Sequence, residues 1–172
     1  MKLREKGYTL VELLIAVTIM VVASGAAGAA IFQVIRNTER NNDHMAALLQ
    51  VQNAGYWISR DARMAQSVTT DLSLPELLIV SWNEYDTSDQ YQVTYNLEDM
   101  AEGGFKKLFR NQSVNDSANI TSFVAQYIDS EPEKTSCNFT SGILSLTITA
   151  TVGEGSLTQS ETRIYEVVPR SY

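Results

Sequence analysis

Apolar residues run almost unbroken from Leu13 to Ile35, where no Asp, Glu, Lys, Arg or His interrupts them. At about 1.5 Å per residue this stretch makes a helix of about 35 Å, enough to cross a hydrocarbon layer of about 30 Å. Beyond it, Leu48, Val51, Gly55, Ile58, Ala62 and Ala65 recur at alternating steps of three and four, and Ala47, Ala54, Met64 and Val68 widen the stripe. Such spacing marks one face of an amphipathic helix. Arg36, Glu39, Arg40 and Asp43 make the turns between the two patterns wet. No proline falls in residues 33–67. One helix over about residues 8–68 is therefore expected, on the order of 90 Å long.

Past Val68 the period changes to two. Tyr91, Val93, Tyr95 and Leu97 alternate with Gln92, Thr94 and Asn96, and Leu144, Leu146, Ile148, Ala150 and Val152 alternate with Ser145, Thr147, Thr149 and Thr151. Both read as half-buried strands, with shorter candidates over residues 77–82, 105–110, 120–127 and 158–168. Turn residues separate them at 86–89, at Gly103 and Gly104, at 111–119, at Glu131 and Pro132, and at Gly153 and Gly155. Short connections imply an antiparallel meander, whose apolar face the stripe on the second half of the helix would cover. The expected fold class is α+β.

One carboxylate, Glu12, stands at the front edge of the apolar run, after Lys2, Arg4, Lys6, Gly7 and Tyr8. Carried to the bilayer centre, an ionised carboxylate costs roughly 2.5 to 3.5 kcal/mol on insertion scales, so a residue of this kind needs a partner. Cutting the Gly7-Tyr8 bond would leave an α-amino group on Tyr8, one helical turn before Glu12. In low dielectric that amine would pair with Glu12 of its own chain or of a neighbour far more strongly than in water.

Residues 2–14, KLREKGYTLVELL, resemble the class III leader of type IV pilins and type II secretion pseudopilins. The resemblance implies cleavage at Gly7-Tyr8 by a prepilin peptidase, N-methylation of Tyr8, and a role for Glu12 in assembly. Tyr8 stands where Phe or Met is more usual. Two other readings of the segment stay open: an uncleaved anchor with Glu12 reaching the headgroups, and a secretory signal cut near residues 26–30. The apolar run is longer than the roughly 7 to 15 residues of a secretory signal, which favours its retention.

Less specific similarity continues in AGYWISRDARMAQS at residues 54–67, YQVTYNL at 91–97, LFR at 108–110, SFVAQYID at 122–129 and ETRIYEVVPR at 161–170. These strings look like minor pseudopilin J and related minor pilins. The implied organisation is a leader at residues 1–7, a membrane and filament-core helix at 8–35, its amphipathic continuation at 36–68, and an exported antiparallel sheet domain at 69–172. Implied partners are other pilin-like subunits, the peptidase, an inner-membrane assembly platform and secreted proteins. A role in type II secretion is the first expectation. A minor pilin of an adhesive, twitching or DNA-uptake pilus is the alternative, and a membrane-anchored enzyme or binding domain a third.

Charge narrows the classes further. The chain has 13 Lys and Arg against 20 Asp and Glu, a net −7. Loss of Lys2, Arg4, Lys6 and Glu5 with the leader removes two net positive charges and leaves −9, which argues against nucleic acid as a partner. The basic leader places the N-terminus inside and exports the remainder. A lone cysteine, Cys137, excludes an intramolecular disulfide.

Gly25 with Ala29 forms a small-xxx-small packing candidate, and Gly25 and Gly28 are possible weak points in the helix. Arg60, Asp61 and Arg63 are expected on the helix surface, in pairs there or against neighbouring subunits. The single histidine, His44, falls on the predicted stalk, with no nucleophile-base pattern, zinc motif or phosphate-binding glycine loop elsewhere. No enzymatic activity is expected. Glu84, Asp86 and Asp89 form an oxygen-rich loop that would hold Ca²⁺ if its carboxylates converged, or a turn that satisfies its own backbone if they do not.

Overall fold

A computed structural model describes residues 9–70, 75–101, 104–153, 155 and 158–170. The Gly7-Tyr8 junction, with its cleavage and methylation, lies outside the described residues. Chain contacts divide the protein into two compact units between Asn41 and Asn42. The first holds the start of helix α1, Leu10–Met64, whose described residues to Asn41 are all exposed. The second holds the rest of α1 and the sheet.

Eight strands follow the helix among the described residues: β1 (Ser67–Thr69), β2 (Glu76–Asn83), β3 (Gln90–Asp99), β4 (Lys106–Val114), β5 (Ile120–Ile128), β6 (Ser136–Thr140), β7 (Ile143–Val152) and β8 (Gln159–Val167). All pairings are antiparallel. β1 to β5 form a meander, and β5 then meets β7 through the single pair Ile128 and Ala150. Because β6 and β8 both pair with residues 144–147 of β7, they occupy its opposite edges. The expected α+β layout is present, a long helix and an antiparallel sheet consistent with a type IV pilin-like fold.

Two strands were not evident from periodicity. Helix α1 ends at Met64, short of the expected 68, because the Gln66 amide donates to Ser81 O at 2.9 Å and draws Ser67–Thr69 into the sheet. Val68 and Thr69 are β-branched and favour that exchange. The β6–β7 hairpin turns through Ser141 and Gly142, both at positive φ, the geometry of a two-residue turn whose twist matches its strands.

Ala47, Val51, Ala54, Ile58 and Ala62 of α1 are buried against Leu78, Val80, Val93, Tyr95, Leu97, Leu108, Leu144, Leu146 and Ile148. Each large side chain among these gains about 1.5 to 3 kcal/mol from leaving water. The buried stripe is rotated slightly from the expected one: Ala47 is fully buried while Leu48 is only half-buried, and Met64 is exposed. Small residues on this face let the helix lie close to the sheet. Gly55 is the tightest point, since the Tyr165 ring occupies the space a Cβ would need and its hydroxyl donates to Val51 O at 3.1 Å.

Candidate functional site

Helix α1 begins with a reciprocal cap. The Thr9 amide and hydroxyl both donate to Glu12 Oε2 at 2.9 Å, and the Glu12 amide donates to Thr9 Oγ1 at 3.3 Å. Thr9 and Glu12 thus form the T-x-x-E capping box, which satisfies donors that a helix start leaves open and sets a negative charge against the positive end of the helix dipole. The spacing is legible in the sequence, although Glu12 draws attention there as a charge near a membrane and not as a cap. Its carboxylate therefore has an intrachain partner before any amine is offered to it.

The segment that follows is bare. Leu10, Val11, Leu13, Leu14, Ile15, Val17, Ile19, Met20, Val21, Val22, Ile31 and Phe32 are each at least half exposed, and the helix is long and apolar enough to cross a membrane. Thr18 and Thr38 return their hydroxyls to the carbonyls four residues earlier, at 2.8 and 2.9 Å, so neither presents an open donor. Gly25, Gly28 and Ala29 lie on this exposed helix, and a Cβ on either glycine would meet nothing within 4 Å.

A second polar constellation joins helix and sheet. Asp61 is fully buried, a correction to its expected place on the helix surface. Its Oδ2 accepts from Arg110 Nε at 2.5 Å and from the Tyr95 hydroxyl at 2.7 Å. Arg110 also donates to Gln112 Oε1 at 2.7 Å, and its guanidinium lies 5.4 Å from the Trp57 ring centre, with that of Arg60 at 4.2 Å. Burial works against the Arg110 charge, but the Asp61 carboxylate outweighs it and holds the guanidinium pKa above its ordinary value. Burial first, then the Asp61 charge, pushes the Tyr95 phenol far up, so it remains a donor. Arg63 is exposed, as expected. Period-based reading assigns Asp61 to water because it is charged; its pairing with Arg110 is a contact 49 residues distant.

Two carboxylates of the oxygen-rich loop accept hydrogen bonds from neighbouring side chains. Glu84 Oε2 accepts from the Tyr91 hydroxyl at 3.1 Å, and Asp89 Oδ1 accepts from Asn115 Nδ2 at 2.7 Å. Asp86 is exposed, and no group of three metal-ligating side chains brings these carboxylates together among the described residues. The Asn115 hydrogen bond, then that of Thr87, holds the Asp89 carboxyl below its usual range. The Asn115–Asp89 bond ties the β2–β3 turn to the β4–β5 turn. His44 is exposed on α1, and Cys137 is a buried free thiol.

Residues 2–28 match the model of the prokaryotic N-terminal methylation motif. No curated protein and no solved structure matches the chain. The motif implies processing by a prepilin peptidase and assembly with other pilin-like subunits, and with the apolar helix it points to membrane anchoring. Motif, helix and α+β layout together support a subunit of the type IV pilin or pseudopilin type.

Proposed function

We propose that this chain is a minor pseudopilin that waits as a single-pass inner-membrane protein and is then drawn into a filament, or its tip complex, for type II protein secretion. It works by assembly and not by catalysis. The observation that carries the reading is an N-terminal methylation motif set on a helix whose apolar residues are exposed and whose only acid in the first turns is Glu12. Cleavage after Gly7 would place the Tyr8 amine beside the Thr9–Glu12 cap. An amine from an incoming neighbour then offers Glu12 a full opposite charge where Thr9 offers only neutral donors, and charge-assisted bonds are roughly twice as strong. Exchange of lipid contacts for helix contacts follows, with Gly25, Gly28 and Ala29 allowing close approach.

Intact mass of the membrane-extracted protein tests processing: loss of residues 1–7 and gain of one methyl group are expected. Deleting the gene tests the assignment. Failure of protein export with motility and DNA uptake preserved supports the secretion role, whereas the reverse assigns the subunit to a type IV pilus.

A further inference from the structure

Where the helix gives way to the sheet, a cleft of about 690 Å³ opens, a size typical of small-ligand sites. Trp82 and Tyr91, opposite each other on β2 and β3, stack with centres 5.4 Å apart and planes within 4°. Tyr85, on the following turn, is 95% exposed. Polar groups alternate with these rings. The Gln66 carboxamide oxygen accepts from the Asn83 amide at 3.1 Å, and the Gln66 amino group and the Asn83 side chain make no hydrogen bond among the described residues. Glu84 and Arg170 complete the wall. An adjoining cleft of about 500 Å³ shares Gln66, Asn83, Glu84 and Tyr85 and lengthens the site along the turn.

The lining selects a ligand class. An anion would face Glu84, and a cation would face Arg170, so neither sign of net charge is favoured. A wholly apolar ligand would strand the Gln66 and Asn83 amides, at about 1 to 3 kcal/mol for each polar group left without a partner. What fits is a neutral molecule with flat apolar faces and a rim of groups that both donate and accept. A pyranose has both: its axial C–H faces suit an aromatic ring, and its equatorial hydroxyls suit planar amides and a carboxylate. We propose that this cleft binds a neutral saccharide, a site separate from the assembly machinery at Glu12.

The full-length protein, held in a detergent without a sugar headgroup, is titrated with cellohexaose, chitohexaose and maltohexaose while tryptophan fluorescence is followed. At least one is expected to give a saturable change in the millimolar range or tighter. Tyr85→Ala and Asn83→Ala alter exposed residues outside the core, and each is expected to weaken binding about 10-fold or more. Absence of a saturable response to all three sugars overturns the proposal. So does binding that both variants leave unchanged, or a saturable response to hexalysine in place of the sugars, which would make the site cationic in preference.

Discussion

Gly55 is the position where one added carbon does most. Its neighbour across the interface is the ring of Tyr165, itself anchored through its hydroxyl to Val51 O, so the ring has no easy retreat. Gly55→Ala is expected to lower stability by about 1 to 3 kcal/mol through overpacking, read as a fall in the urea midpoint, and Tyr165→Ala in the same chain should recover part of it. Asp61 is a different case, because its cost is electrostatic. Asp61→Ala leaves the Arg110 guanidinium buried without its carboxylate and is expected to cost about 3 to 5 kcal/mol, whereas Asp61→Leu with Arg110→Met should cost far less. Similar losses in the single and paired variants would contradict that account. Cys137 supplies a pH signature. Burial pushes its thiol up to about 12, against about 8.5 for a free cysteine. The folded chain therefore keeps a proton that the unfolded chain gives up, so this stabilisation is complete below about pH 8.5 and fades as pH rises toward 12, by at most about 1.4 kcal/mol per unit. Cys137→Ala should flatten that alkaline loss, and iodoacetamide should label Cys137 only as fast as the domain opens.

At the scale of elements, β5 is the irregular strand. Its register to β4 shifts twice, from Phe123 to Ala125 and from Ala125 to Ile128, so β5 carries two extra residues and Tyr127 takes a φ of +60°. A bulge frees backbone groups from the ladder. One of them, the Gln126 amide, donates to the Gln50 side chain of α1 at 2.9 Å. Gln50→Leu should therefore speed hydrogen exchange at Gln126 and cost about 1 kcal/mol, and exchange unchanged in that variant would remove Gln50 from this role. The bulge also explains why Val124 and Ala125, adjacent in sequence, are both buried. A period of two cannot foresee that, and strand 120–127 is visible in the sequence only as a β-rich run. Strands with clean alternation, such as β3 and β7, are legible at once. β1 and β6 are not: β1 has only three residues attached to a helical pattern, and β6 has only Cys137 buried. The same limit applies to the sites. Glu12 announces itself by contrast with its apolar surroundings, while the Asp61, Tyr95 and Arg110 cluster exists only once three elements have met.

For the whole molecule, the governing question is what Glu12 does when a neighbour arrives. Glu12→Leu keeps the leader and apolar run intact, so it should still be processed, with an unchanged mass shift, yet enter filaments at least 10-fold less, an effect of about 1.4 kcal/mol or more at the pairing step. Incorporation equal to the unaltered chain, with cleavage demonstrated by mass, would end the electrostatic account of assembly. Sliding α1 by one turn, about 5.4 Å, would bring Trp57 or Ala65 to the place of Asp61 and confront the guanidinium with a side chain that has no charge to give. The Tyr165 ring over Gly55 resists such a slip sterically, and the acid resists it electrostatically. Asp61 therefore acts as a locating key, fixing one seating of the second half of α1 on the sheet.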